Sequence, residues 1–321
     1  MITPQKSYPD LTRAVGVSSL YLKREDLHPY GSHKGRSIPV MIDHYLKEGK
    51  RHFAISSSGN AALAAALHIK KINEKNNALA HNASSAATQD ERNKGASVVV
   101  SGAGQELEKI KLEILVGNHI LDKKFKKLTD LADYNVSVMR FERPLQSLTQ
   151  KTADSSIQSL RQSTDDVALV GYESLAEELE QIKDLQAVFL ATSSGTTAQE
   201  LAEYFLKNNN SVEIHIVQTT SCHPMALEFV DSLPSEEQSS ADAIVDITAN
   251  RKAVLIPLIQ KTNGFGWIAS NEEIMTAQEL IEKNADIKVS PNGALALAGL
   301  MQAVFNGREW GGDVVCVVGG E

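Results

Sequence analysis

Short runs of apolar and β-branched residues alternate with longer stretches in which apolar residues recur every three to four positions, almost from end to end. The runs that read as strands are Leu20 to Lys23, His52 to Ile55, Ser97 to Val100, Val136 to Met139, Ala187 to Ala191, Glu213 to Val217 and Asp313 to Val318. Between them, Ile38, Met41, Ile42, Tyr45 and Leu46 fall at the i, i+3, i+4, i+7, i+8 spacing of one helical face. Ser174 with Glu177 and Ser270 with Glu273 match the Ser-x-x-Glu signature of a helix start. Strand and helix in regular alternation imply βα units and a largely parallel sheet, an α/β fold.

Polar stretches at Asn73 to Asp90, Gln150 to Asp166 and Pro234 to Asp242 read as loops or weak elements, and the second is a candidate boundary between lobes. Asn76 to Ser85 sits where one more strand would keep the alternation regular. Its Asn, Ala and Ser content and lack of β-branched residues argue against a strand there.

The chain has 321 residues, more than one ordinary core usually fills, which points to two α/β lobes with a cleft between them. A net charge of -8 supplies no basic field to follow a nucleic acid backbone. Cys222 and Cys316 stand in unrelated contexts, which fits neither a disulfide framework nor a paired metal site. No apolar run approaches the length of a membrane span, and residues 1 to 10 lack a secretory pattern, so the expected location is the cytoplasm.

Three segments carry candidate chemistry. Tyr21 to Arg36, Y-L-K-R-E-D-L-H-P-Y-G-S-H-K-G-R, reads as a strand, a turn through Pro29 and Gly31, and a lysine, Lys34, at a helix start. The helix dipole there favours a free amine, the form that attacks an aldehyde. The pattern alone reads more simply as a solvated lysine in a first turn. In His52 to Ala66, H-F-A-I-S-S-S-G-N-A-A-L-A-A-A, Ser57, Ser58 and Gly59 form a small polar turn and Asn60 either caps the helix or offers its amide to a ligand. In Ala187 to Glu200, A-V-F-L-A-T-S-S-G-T-T-A-Q-E, the turn at Thr192, Ser193, Ser194, Gly195 and Thr196 presents amides and hydroxyls at a helix N-terminus, suited to a phosphate. As a lone feature it equals an ordinary βα turn. Three such turns at strand carboxyl ends would converge where open α/β sheets bind ligands.

Together these segments resemble the fold type II pyridoxal-phosphate enzymes, which include threonine synthase, threonine dehydratase, cysteine synthase and the tryptophan synthase β chain. L-K-R-E-D-L-H-P-Y-G-S-H-K-G-R is similar to the L-K-x-E-x-L-N-P-T-G-S-F-K-D-R of threonine synthases, with the lysine on Lys34. His33 is similar to the histidine in the G-A-H-K of tryptophan synthase β chains. Ser57 to Asn60 resembles the S-T-G-N turn, Gly171 to Leu179 the G-x-x-T-I-A-x-E-I element, Thr192 to Thr196 the phosphate loop, and Val289 to Leu300 the V-E-P-x-x-A-A-x-L-A-G-L helix. The resemblance implies two lobes, each with a largely parallel sheet flanked by helices: 51–145 as the smaller, 1–50 with 146–321 as the larger. It implies pyridoxal 5'-phosphate carried on Lys34, its phosphate at Thr192 to Thr196, and its ring hydroxyl facing Asn60. The substrate carboxylate would lie on Ser57 to Asn60. The substrate would be an amino acid undergoing β- or γ-elimination or replacement, as in threonine synthase or in a serine/threonine dehydratase, and a homodimer is usual in the family.

Three departures set this chain apart. Gly35 replaces the acidic residue after the lysine, the phosphate loop holds only Gly195, and Gly319, or Val318 with a one-residue slip, falls where the family places a Ser or Thr against the pyridine nitrogen. These departures leave open a protein that binds the cofactor or senses a ligand without turnover.

Overall fold

The computed structural model describes residues 2–94, 109–208, 211–230 and 238–320, with backbone alone for 79–94. In chain order the first half holds β1 (Gln5–Ser7), α1 (Pro9–Val15), β2 (Ser19–Arg24), α2 (Lys34–Lys47), β3 (His52–Ser56), α3 (Asn60–Lys94), β4 (Lys111–Gly117), α4 (Asp122–Thr129), β5 (Val136–Phe141) and α5 (Pro144–Lys151). The second half holds β6 (Gln158–Ser159), α6 (Val167–Glu180), β7 (Leu185–Ala191), α7 (Thr196–Lys207), β8 (Glu213–Thr219), α8 (Lys252–Lys261), β9 (Gly266–Ala269), α9 (Asn271–Ala285), α10 (Pro291–Phe305) and β10 (Asp313–Val318).

The chain forms two compact units, Met1–Met41 with Arg161–Glu321, and Ile42–Leu160. In the larger, six strands lie in the order β1-β2-β10-β7-β8-β9, parallel throughout except for β1, which runs antiparallel to β2. The pleat decides what each face buries. Along β10, Val314, Cys316 and Val318 enter a core shared with α1, α9 and α10, whereas Val315 and Val317 enter the opposite core with α6, α7 and α8. A central parallel strand covered on both faces has no polar side to show, which accounts for the unbroken V-V-C-V-V of its sequence.

In the smaller unit, four parallel strands follow the order β5-β4-β3-β6. Phe53, Ala54 and Ile55 of β3 and Ile114, Leu115 and Val116 of β4 are all buried. The helical face read from Ile38, Met41 and Ile42 is also buried, and Tyr45 and Leu46 are half-buried.

Several expectations need correction. Ser174 does not start a helix: it lies inside α6, and its hydroxyl donates to Gly171 O and accepts from Arg36. Ser270 does, in a complete capping box with Glu273. Asn73 to Asp90 is helical rather than a loop, carried by Ala, Lys, Glu and Gln, all good helix formers. Asn76 to Ser85, where a strand was doubted, is part of that helix. The strand read at Ser97 to Val100 lies outside the described residues, as does part of Pro234 to Asp242. The sequence reading passed over β4, whose Lys111-Leu-Glu-Ile-Leu-Val alternates only in its first half.

Gly171 marks the tightest helix contact in the larger unit. A Cβ placed there would stand 2.4 Å from both Arg36 O and Ser37 Cα, so α6 rests directly on the backbone of α2. Gly171→Ala should therefore lower unfolding free energy by about 1–3 kcal/mol, the usual range for overpacking, read as a lower urea midpoint at unchanged m-value.

Candidate active site

Lys34 is the first residue of α2, and the turn before it closes through Gly35 N to Ser32 O, 3.0 Å, and Lys34 N to Ser32 Oγ, 3.2 Å. Its Nζ stands 5.9 Å from the ring centroid of Tyr172. Tyr172 is fully buried, and its hydroxyl accepts from Gln162 Nε2 at 3.1 Å. The same Nε2 donates to Ser37 Oγ at 2.7 Å, which ties the floor beneath Lys34 to α2.

Two residues on, Arg36 anchors this helix start in the interior. Its guanidinium is 2% exposed and forks onto Glu25, with Nε and Nη2 donating at 2.8 and 2.7 Å. It also forks onto Glu178, with Nη1 and Nη2 donating at 2.8 and 2.9 Å. Lys23, wholly buried, completes a neutral set of two cations and two anions by donating to Glu178, to Thr3 O at 3.0 Å and to Gln5 Oε1 at 3.1 Å. Burial by itself would raise the Glu178 pKa, but hydrogen bonds from Arg36 and Lys23 outweigh it and hold the carboxyl below its ordinary value. Burial pulls the Lys23 ammonium down despite Glu178. All four charges occupy positions matched by the motifs: Lys23, Glu25 and Arg36 in the lysine segment, Glu178 in the Gly171 segment. The sequence reading assigned them no role; in the structure they hold β2, α2 and α6 together.

Gly35, the departure beside the lysine, has a steric cause. A Cβ there would lie 2.4 Å from the His28 imidazole and 2.6 Å from Tyr30 Cβ. His28 is itself fixed, buried and accepting at Nδ1 from Tyr30 N at 3.2 Å.

The second segment, Thr192 to Thr196, leaves β7 and enters α7. Gly195 adopts φ 81°, the left-handed region, and a Cβ on it would meet Leu255 Cδ2 at 2.9 Å and the Met225 thioether at 3.1 and 3.2 Å. The amides of Ser193, Ser194, Gly195 and Thr196 have no acceptor among the described residues. The hydroxyls are unequal. Thr192 Oγ1 turns back to Leu190 O at 3.1 Å, and Thr196 Oγ1 reaches Gln162 O at 3.4 Å. Ser193 Oγ accepts from Val245 N and Asp246 N at 3.2 and 3.3 Å, while Ser194 Oγ pairs with Thr196 Oγ1 at 3.0 Å.

The third segment is the end of β10. Gly320 is pressed against the lysine turn: a Cβ there would lie 2.1 Å from Gly31 O and 2.7 Å from Ser32 Cβ. Gly319 is open by comparison, its nearest neighbours being His33 Nδ1 at 3.9 Å and Asn292 O at 4.0 Å from an ideal Cβ. Glu321 lies outside the described residues. Because β2, β10 and β7 are adjacent and parallel, the lysine turn, Gly319 and the Thr192–Thr196 turn all emerge at one edge of one sheet.

Ser57 to Asn60 belong to the smaller unit, between β3 and α3. Gly59 N donates to Ser57 Oγ at 3.3 Å, Leu63 N closes the first helical turn on Gly59 O at 3.1 Å, and Ser58 is exposed. The sequence reading missed Tyr172, Gln162 and Arg251, whose guanidinium donates to Gln162 O at 2.7 Å and to Asp165 O at 2.8 Å. None of these falls at a strand end with a distinctive neighbour, so no local pattern marks them.

Residues 2–320 match the family described as "Pyridoxal-phosphate dependent enzyme". The chain belongs to this family. Its fold is that of the fold type II members and its cofactor is pyridoxal 5'-phosphate. Among curated proteins it is 34% identical to an L-serine dehydratase/L-threonine deaminase of Bos taurus over 103 residues, 32% of this chain and 31% of the relative. The chain spans under half the length of the serine dehydratase relatives it matches. It is 24% identical to the threonine synthase of Mycobacterium bovis over 99% of this chain and 80% of the relative. Among solved structures, a pyridoxal 5'-phosphate-dependent aspartate racemase superposes with a TM-score of 0.76 at 18% identity, covering 100% of this chain and 90% of that one. Among the described residues no helix is long and apolar enough to cross a membrane.

The residues present fit the cofactor in two respects. Among the described residues the amides of Ser193 to Thr196, at the start of α7, have no acceptor, a donor set suited to a phosphate, and His33 Nδ1, next in sequence to Lys34, is a buried polar atom without a partner.

Gly195→Val should weaken pyridoxal phosphate binding about tenfold or more, the loss of one or two hydrogen bonds to a charged group, measured by spectroscopic titration. The charge cluster sets a pH dependence. Because the folded Glu178 pKa is depressed, its stabilisation is fully present above the unfolded value of about 4.3 and is lost as pH falls through the folded value. In Glu178→Gln, the urea midpoint at neutral pH should drop and its decline on acidification across that window should flatten.

Proposed function

We propose that this chain is a pyridoxal-phosphate-dependent lyase or synthase that eliminates or replaces a group at the β or γ carbon of an amino acid, in the manner of a threonine synthase. The observation that carries it is the setting of Lys34: an amine at a helix start, over a buried Tyr172, in a turn that packs on the end of β10, the strand next to the one that opens into the amide-lined turn. The end-to-end similarity to threonine synthases supports the choice within the family.

Bound pyridoxal phosphate would supply an aldehyde carbon for covalent attachment of an amine and a ring that accepts electron density. Lys34 Nζ would be the amine that holds the cofactor and, when free, the base that takes the substrate's Cα proton and returns one to the departing or incoming group. Ser193 to Thr196 orient the cofactor through backbone amides. Ser57 to Asn60 would hold the substrate carboxylate, and Asn60 the cofactor's ring hydroxyl. The same reading carries with it a cytoplasmic location and a homodimer.

A serine/threonine dehydratase is the second reading, favoured by the 34% identity over 103 residues. A protein that binds the cofactor without turnover is the third, motivated by Gly319. Incubation with serine, threonine, O-phosphohomoserine and O-acetylserine, with keto acid, phosphate and acetate assayed, separates them. Phosphate or acetate release is expected. Keto acid from serine or threonine alone would select the dehydratase, and binding without product would overturn the lyase reading. Lys34→Ala should lower kcat by about 10²- to 10⁴-fold or more and abolish borohydride fixation of the cofactor; persistent fixation would move the role to another lysine.

A further inference from the structure

The hydroxyl groups of the turn after β7 divide by exposure. Thr192 and Thr196 are buried, whereas Ser193 and Ser194 are half-buried, so only the two serines have side chains within reach of a ligand. Ser193 Oγ already accepts from Val245 N and Asp246 N at 3.2 and 3.3 Å. A hydroxyl has two lone pairs and one proton, so what Ser193 has left is the proton. For Ser194 the direction is set elsewhere. Its oxygen lies 3.0 Å from Thr196 Oγ1, and that pair can run either way. If Thr196 gives its proton to Gln162 O, 3.4 Å away, Ser194 donates to Thr196 and has nothing for a ligand. If Gln162 O is taken, Thr196 donates to Ser194 and the Ser194 proton is free.

Arg251 takes it. Its Nη2 and Nε donate to Gln162 O at 2.7 and 3.2 Å, both closer than the Thr196 hydroxyl. Hydrogen bonds from a charged donor are about twice as strong as neutral ones and a carbonyl has two lone pairs, so the guanidinium wins the competition. The remaining N–H groups are also committed, Nη2 to Asp165 O at 2.8 Å and Nη1 to Gln199 Oε1 at 2.8 Å and Asp166 Oδ1 at 2.9 Å. Buried charges are normally paired with buried charges, as Arg36 is. Arg251 is 5% exposed, yet Asp166 is the one carboxylate on it and its side chain is 85% exposed. The cation is held instead by neutral acceptors, two of which, Gln162 O and the Gln199 amide, adjoin the first turn of α7.

We propose that Arg251 is a positioning residue for the cofactor's phosphate: by occupying Gln162 O it turns the Thr196 proton toward Ser194 and makes Ser194 a donor to that phosphate. This rests on the reading that the Thr192–Thr196 turn receives the phosphate. Ser193 and Ser194 are then donors only, and the amides of Ser193 to Thr196 have no acceptor among the described residues. A turn that offers protons alone suits a group that offers acceptors alone. That group is a phosphate carrying both of its negative charges, not one that keeps a proton.

The test measures the Kd of the full-length protein for pyridoxal phosphate and for pyridoxal, which lacks the phosphate. In Ser194→Ala and in Arg251→Met the preference for pyridoxal phosphate over pyridoxal should fall about three- to tenfold, and the two substitutions together should cost no more than either alone. Adding Thr196→Val to Arg251→Met removes the hydroxyl that would capture Ser194 and should restore the preference. Neutron diffraction from crystals of the deuterated protein loaded with pyridoxal phosphate reads the same point without substitution, and decides it if Arg251→Met does not fold. The Thr196 deuteron should lie toward Ser194. A deuteron directed at Gln162 O, additive losses in the double variant, or an Arg251→Met protein that loses affinity for pyridoxal and pyridoxal phosphate alike would overturn the proposal and leave Arg251 a packing residue. If the unsubstituted protein binds pyridoxal phosphate no more tightly than pyridoxal, the placing of the phosphate on this turn falls, and this inference with it.

Discussion

The larger unit depends on a buried set of opposed charges. Arg36 cannot leave water alone: a guanidinium 2% exposed needs both of its faces paired, and Glu25 and Glu178 do so through two forked contacts. Each carboxylate comes from a different part of the chain, one just after β2 and one from α6. Pairing them with one residue of α2 fixes where that helix starts, and Lys34 lies two residues earlier. Hydrophobic packing could bring the same elements together, but it is non-directional and would tolerate small slides. Forked hydrogen bonds would not.

On that foundation the sheet order does the rest. Placing β10, the last strand of the chain, between β2 and β7 brings together three loops that are far apart in sequence. A parallel arrangement puts all three at the same edge, beyond the carboxyl ends of the strands. Gly171 and Gly320 are part of this economy of space, since each lets backbone approach backbone where a methyl group would not fit.

Much of this was legible in the sequence for a physical reason. Strands buried on both faces advertise themselves as unbroken apolar runs, so β7, β8 and β10 stood out, and Ser270 with Glu273 is a capping box whose two partners lie three residues apart. Interactions that close over long separations leave no such trace. Arg36 meets Glu178 across 142 residues and Gln162 meets Ser37 across 125, so nothing near either residue announces the other. Ser174 shows the opposite failure. Its spacing to Glu177 was right for a cap, yet a tertiary partner, Arg36, claimed the hydroxyl. In Asn73 to Asp90 the polar composition points to a loop, and the helix propensity of its Ala, Lys, Glu and Gln prevails. His33 was read only through its likeness to other lysine motifs, and its missing partner is a fact of three dimensions.

The contact between Gly35 and His28 constrains how this sequence could change. An acidic residue after the lysine, as in the threonine synthase pattern, has no room while the imidazole occupies that space and Tyr30 holds it there. A side chain at position 35 therefore needs both neighbours to move, the imidazole of His28 and the Cβ of Tyr30, so a smaller residue at position 28 alone does not make room for it and the loop from 28 to 35 can change only as a unit.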